Sequence, residues 1–104
     1  MTPTQIAHAR RGAIRWHLLS SAEVSSPQGI NTLALLAIVR SVYPDATHQE
    51  IRKELNYIEE RGLAEIQRDP LDNWFVQLTR DGMDVAQYTV DCDPGIDRPK
   101  ITQG

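Results

Sequence analysis

The sequence predicts a single α+β domain made of three helices, a β-hairpin and a short fourth helix. Apolar residues recur at helical spacing over residues 6–58, and the pattern changes to strand alternation after Gly62. A turn rich in Asp and Pro separates the two alternating runs, which is typical of a hairpin. The chain has 104 residues, of which 40% are hydrophobic and 24% are charged, so it has room for one globular core.

The first helix is expected to begin at Pro3, because proline is favoured in the first helical turn. On a helical wheel, Arg11 and Arg15 lie on its polar side, whereas Arg10 falls within the apolar arc. Gly12 weakens the helix by about 1 kcal/mol relative to alanine, or permits a close helix crossing. The expected core face, widened by Ile14 and Leu18, consists of Ile6, Ala9, Ala13 and Trp16.

The second helix is expected to be the buried centre of the domain. It follows the loop 25–29, and Asn31 or Thr32 can cap its first turn. Tyr43 ends it, because a residue that precedes proline is disfavoured in the α region. Apolar residues lie on nearly all of its sides, which is typical of a buried helix. We therefore assign Leu33, Leu36 and Val39 to the core.

The third helix has the clearest start signal in the chain. Thr47 and Glu50 have the spacing of a capping box, in which each side chain binds the other residue's backbone amide. Its expected core stripe is Ile51, Leu55 and Ile58, and the helix ends where Gly62 supplies a left-handed residue.

The hairpin is expected from two alternating runs, 63–68 and 73–79, joined by the turn Asp69–Asp72. Thr79 can cap a last short helix, with Met83, Ala86 and Tyr88 at inward or edge positions. The expected core residues of this half are Ile66, Trp74, Val76 and Leu78. Proline and glycine then favour an extended tail over residues 91–104.

Two helices joined by a tight turn and followed by a hairpin are the arrangement of a winged helix-turn-helix. Residues 1–90 would form this domain, with 1–24 as a first helix that can also pair two copies. Trp16, Leu18 and Leu19 near the end of this helix offer more apolar surface than one face uses, so we expect a homodimer.

The outer side of the third helix is the best candidate for a functional surface. Gln49, Lys53 and Asn56 point away from the core stripe, and Arg52 and Tyr57 flank them. Gln and Asn can bind adenine edges, Arg can bind guanine and Lys can pair with phosphate, so this face suits duplex DNA. The alternative is a solvated helix face of the kind that any globular protein carries.

A basic patch on the first helix is a second candidate. It consists of Arg10, Arg11 and Arg15, which can contact phosphates or form ion pairs with acids elsewhere in the chain. Charge is distributed unevenly, with a net +2 over residues 1–52 and −5 over 53–104, so a polyanion would meet the N-terminal half more readily.

No catalytic constellation is recognisable. His8 and His17 are nine residues apart without a cysteine nearby, and Cys92 has no companion at zinc spacing. Neither a phosphate-binding glycine loop nor a nucleophile elbow is present. We therefore expect no enzyme activity, no cofactor and no metal. The lone cysteine and the lack of an apolar leader or a membrane-length apolar run suggest a cytoplasmic protein.

Several segments carry a family resemblance. Thr47 to Ile66 and the run Leu78-Thr-Arg-Asp-Gly82 resemble the recognition helix and hairpin return of winged-helix regulators. The segments Arg10-Arg-Gly-Ala-Ile-Arg15 and Pro94-Gly-Ile-Asp-Arg-Pro99 resemble small winged-helix proteins of Mu-like bacteriophages and prophages. The resemblance implies a phage DNA-binding protein, such as a transcriptional regulator, and no catalytic residues. A protein-interaction module or phage assembly adaptor that binds no DNA is the alternative.

Overall fold

The computed structural model describes residues 1–71 and 73–101. Within these ranges the chain forms four helices and a three-stranded antiparallel sheet, which confirms the α+β class. The elements are α1 (Pro3–Val24), β1 (Ile30–Asn31), α2 (Thr32–Arg40), α3 (His48–Glu60), β2 (Ala64–Gln67), β3 (Phe75–Leu78) and α4 (Arg80–Ala86).

Helix α1 begins where expected and buries Ile14 and Leu18 of the predicted face, but not the residues predicted in its first turns. Thr2 and Gln5 form a reciprocal capping box around its first turn. Ile6 is 55% exposed and Ala9 is exposed, so the predicted core face of the first turns is wrong. Burial starts further along the helix, because the other elements cover its later turns. The residues it buries are Gly12, Ile14, Leu18, Leu19 and Ala22.

Helix α2 lies at the surface and is buried on one side only. The side chain of Asn31 caps it by accepting a hydrogen bond from the amide of Ala34 at 2.9 Å. The helix ends at Arg40, three residues before the predicted end. Leu33 is 66% exposed, so its assignment to the core is wrong. A helix of nine residues that packs on α1 and α3 needs one apolar side, and the sequence supplies more than that. Its buried residues are Thr32, Leu35, Leu36 and Val39.

Helix α3 has the predicted bounds and the predicted core stripe. The Thr47 hydroxyl accepts from the amide of Glu50 at 3.2 Å. The other half of the expected capping box is replaced, because the Glu50 carboxylate accepts two hydrogen bonds from Arg10. At the C-terminus Gly62 has a φ of 75°, and the amide of Leu63 donates to the carbonyl of Ile58 at 3.1 Å. These contacts form a Schellman motif, as the glycine predicted.

The hairpin β2–β3 is confirmed, and a third strand that the sequence did not reveal joins it. Strand β1 pairs with β3 through Ile30 and Val76, so β3 is the central strand. Two residues are too few to show strand alternation, and only the folded context makes them a strand. Asp72, the last residue of the predicted hairpin turn, lies outside the described residues.

Helix α4 is capped by Thr79, whose hydroxyl accepts from the amide of Gly82 at 3.1 Å. Gly82 and Val85 are buried, whereas the predicted inward positions are only half-buried. A Cβ on Gly82 would lie 1.9 Å from the carbonyl oxygen of Leu63, so only glycine fits there.

Residues 91–101 contain no helix or strand but pack back onto the domain. Ile96 is 5% exposed, and the amide of Asp97 donates to the carbonyl of Gly12 at 3.1 Å. Arg98 donates to the carbonyls of Val85 and Val90, both at 2.9 Å. Gly12 thus permits close approach of the tail rather than of a second helix. Residues 102–104 lie outside the described ranges.

Candidate nucleic-acid interface

The exposed side of α3 contains the three polar residues that the sequence placed there. Gln49, Lys53 and Asn56 are exposed, on the side opposite the buried stripe of Ile51 and Leu55. We call these three residues the α3 ridge. Arg52 and Tyr57 are half-buried and flank the ridge, as predicted.

Arg10 is held by acids of its own chain. Its guanidinium donates to both carboxylate oxygens of Glu50, at 2.8 and 2.9 Å, and to Asp45 at 2.9 Å. These hydrogen bonds raise the pKa of Arg10, and the Arg10 guanidinium lowers the pKa of Asp45. Of the two interpretations of the basic patch, ion pairing is the one that applies to Arg10.

Arg15 is held more deeply. It donates to Glu54 at 2.9 Å and to the carbonyl of Gly95 at 2.9 Å, and its side chain is only 12% exposed. Its guanidinium stacks on the ring of Tyr57, with the carbon 3.5 Å from the ring centre. Arg15 and Tyr57 therefore belong to a contact between α1, α3 and the tail.

Arg68, which the sequence analysis did not single out, joins the hairpin to α3. It donates to both carboxylate oxygens of Glu59, at 2.8 and 3.0 Å, and to the side-chain oxygen of Asn56 at 2.9 Å. Its guanidinium lies 4.4 Å from the ring centre of Trp74, and that of Arg52 lies 6.0 Å from the same ring. No spacing rule signals such a contact, because it depends on how the hairpin folds back.

The ion pairs change the charge that α3 presents to a partner. Of its four glutamates, Glu50 pairs with Arg10, Glu54 with Arg15 and Glu59 with Arg68, and Glu60 is exposed in the last turn. Arg11, Arg52 and Lys53 have no ion-pair partner within residues 1–71 and 73–101. The exposed charge beside the ridge is therefore positive, although the helix sequence is rich in acids.

The Arg68–Glu59 pair gives a pH-dependent prediction. Hydrogen bonds from Arg68 lower the pKa of Glu59, so this pair stabilises the fold above the ordinary glutamate pKa and is lost as the pH falls through the lowered one. We expect Arg68→Ala to move the Glu59 pKa back toward its ordinary value of about 4.3. NMR titration of the side-chain carboxyl carbons measures it, and an unchanged Glu59 pKa in the variant would show that the pair does not form in solution.

Other chemistry-bearing residues lie apart from this surface. Among the described residues, no group of three or more His, Cys, Asp or Glu side chains could hold a metal ion. His8 is exposed, His17 is half-buried, and burial raises the pKa of the Cys92 thiol. No helix in the described ranges combines the length and the apolar character needed to cross a membrane.

No protein-family model matches this chain, and no curated protein matches it significantly.

Proposed function

We propose that this chain is a winged helix-turn-helix protein that binds duplex DNA with the α3 ridge. The order of elements supports this proposal, since α2 and α3 are consecutive packed helices and the β2–β3 hairpin follows α3 directly. The central position of β3 attaches the hairpin to β1 and thereby to the start of α2. A phage regulator is the setting that the sequence resemblance suggests.

One observation carries the proposal. The acids of the first turns of α3, Glu50 and Glu54, are paired with arginines of the same chain, while Gln49 and Lys53 stay exposed. A side chain that points outward from a helix can reach base edges once the helix lies in the major groove. Arg10 and Arg15 provide the neutralising charge. We therefore propose that they favour DNA binding by neutralising the acids of α3 and do not contact the DNA themselves.

The ridge residues would act differently. Lys53 pairs with phosphates, and Gln49 suits an adenine edge. The side-chain oxygen of Asn56 accepts a hydrogen bond from Arg68. To bind an adenine edge with both its amide oxygen and its amide nitrogen, Asn56 must break this hydrogen bond. Arg52, held over Trp74, is placed to reach a guanine or a phosphate beside the ridge.

We expect Lys53→Ala and Asn56→Ala to affect DNA binding in different ways. Lys53→Ala should weaken binding to all duplexes alike, because phosphate contacts carry no sequence information. Asn56→Ala should reduce the preference for a selected site by about 1–3 kcal/mol and leave non-specific binding nearly unchanged. Gel-shift titrations at about 50 mM salt, on a site selected from random duplexes, measure both effects.

Two controls accompany these variants. Arg80→Ala removes one exposed charge at the start of α4 and should leave affinity unchanged. Asn56→Ala also removes the hydrogen bond between Asn56 and Arg68. Arg68→Ala removes this hydrogen bond alone and so shows how much of the Asn56→Ala effect comes from it. If the wild-type chain binds no duplex at this salt concentration, the DNA proposal is wrong.

The exposed apolar side of α2 favours protein interaction as a second candidate function. Leu33 and Ile38 of α2 are 66% and 38% exposed, and Val42 in the turn after α2 is 49% exposed; together with exposed Ala37 we call them the α2 strip. Several exposed apolar side chains so close together in the chain can form an interaction site. We propose a second copy of this chain as the occupant, because antiparallel pairing of two α2 helices brings opposite ends of the strip together around the small Ala37. The sequence placed the homodimer interface on α1, and we now propose α2 instead.

We no longer propose α1 because its apolar residues are covered within one copy of the chain. Of the three residues that suggested α1 as the dimer surface, Leu18 and Leu19 are 1% and 0% exposed within one copy, and Trp16 is half-buried against Tyr88. We expect light scattering to give a dimer mass for the wild type at micromolar concentration and a monomer mass for Leu33→Glu. Ile6→Glu, at an exposed apolar position of α1, should leave the dimer intact. A monomeric wild type contradicts the dimer, and dissociation by Ile6→Glu alone assigns it to α1 instead.

A further inference from the structure

An open cleft of about 400 Å³ lies between α1 and the N-terminal half of α3. Gln49 and Lys53 belong both to this cleft and to the α3 ridge, so the cleft opens onto the proposed DNA surface. Its lining residues are Arg11, Thr47, Gln49, Glu50, Lys53 and Glu54.

The charges in the cleft are not balanced. Its two acids are already neutralised, Glu50 by Arg10 and Glu54 by Arg15. Its two cations, Arg11 and Lys53, lack an ion-pair partner in the described part of the chain. Two helices therefore contribute one uncommitted positive side chain each to the same cleft. An anion that enters it meets both cations and displaces no existing ion pair.

We infer that this cleft binds one backbone phosphate of duplex DNA, with Arg11 as the anchoring residue and Lys53 as the second positive charge. The two free oxygens of a phosphodiester match the fork of a guanidinium, which binds them in bidentate fashion. The inference rests on the proposed DNA function and adds to it a residue from α1.

The position of the cleft explains why the phosphate would belong to a duplex backbone. A helix of about 10–12 Å diameter fills a major groove of about 12 Å width, so the phosphates that border the groove lie beside the helix. The cleft is beside α3, on the side facing α1. Of the three arginines predicted from the basic patch, Arg11 is thus the one that the structure leaves available for a phosphate.

Fluorescence anisotropy with the full chain and a labelled random-sequence duplex tests the inference, because a phosphate contact does not depend on sequence. We expect Arg11→Ala to weaken binding and to reduce the slope of log affinity against log salt by about 1. The affinity advantage of wild type over Arg11→Ala should then shrink about three- to fourfold between about 50 and 200 mM salt. Arg11→Lys should keep the slope, and Arg80→Ala, the matched charge control, should behave like wild type.

The outcomes separate this inference from the proposed function. If the wild type binds the duplex and Arg11→Ala binds it with the same affinity and the same salt dependence, the phosphate inference is wrong and the DNA function stands. If the wild type does not bind, both are wrong. If inorganic phosphate at constant ionic strength displaces the duplex from wild type but not from Arg11→Ala, the free anion and the duplex compete for the same cleft, which supports the inference.

Discussion

Arg15→Ala is expected to lower the free energy of unfolding by about 3–5 kcal/mol, because it leaves the Glu54 carboxylate buried without its partner. The Glu54 side chain is 2% exposed, and Arg15 is the group that neutralises it. The variant also loses the hydrogen bond to Gly95 and the stacking on Tyr57. Urea unfolding followed by circular dichroism measures the change.

The neighbouring arginine is the matched control for this variant. Arg11→Ala removes the same charge from the same helix but breaks no ion pair of the described residues, so its effect should stay within about 0.5 kcal/mol. Replacing Arg15 and Glu54 together by methionine should recover much of the loss, since a buried pair exchanged for apolar side chains is often neutral. If Arg15→Ala and Arg11→Ala have the same free energy of unfolding, the buried pair does not stabilise the fold.

Leu55→Ala is expected to cost about 2–5 kcal/mol, because it leaves a cavity where α3 meets the core. Leu55 is 0% exposed. A small domain has about 5–15 kcal/mol of total stability, so this one change can remove much of it and lower the Tm by about 10 °C or more. Thermal unfolding followed by circular dichroism measures the shift.

Leu71→Ala is the control for Leu55→Ala, since it removes the same atoms from a position that is 88% exposed and lies outside the α2 strip. Its effect should remain within about 0.5 kcal/mol. Equal losses for both variants would show that the assignment of the core is wrong.

Local signals in the sequence were enough to predict much of the fold. Thr47, Thr79 and Gly62 each act through residues within a few positions of themselves, and the helix bounds they predicted agree with the structure. The stripe of Ile51, Leu55 and Ile58 was found because α3 has a single narrow apolar side. The exposed ridge on the opposite side followed from the same geometry.

What the sequence missed depends on contacts between distant residues. The buried face of α1 depends on which turns the other elements cover, and the two residues of β1 become a strand only beside β3. The partners of Arg10 and Arg15 lie about 40 positions away, at Glu50 and Glu54, so no helical spacing connects them. The neutralisation of the α3 acids is therefore visible only in the folded chain.

Because Arg68 and Arg52 lie against Trp74, the fluorescence of this tryptophan reports on the α3 surface. The indole is half-buried beside two guanidinium groups, one of which also binds Asn56 of the ridge. Any ligand that draws these arginines away changes the polarity around the indole and hence its emission. Trp16 packs edge-on against Tyr88, at 5.8 Å between ring centres. Its replacement by phenylalanine leaves Trp74 as the only tryptophan emitter, an intrinsic fluorophore that reports occupancy of the surface without an attached label.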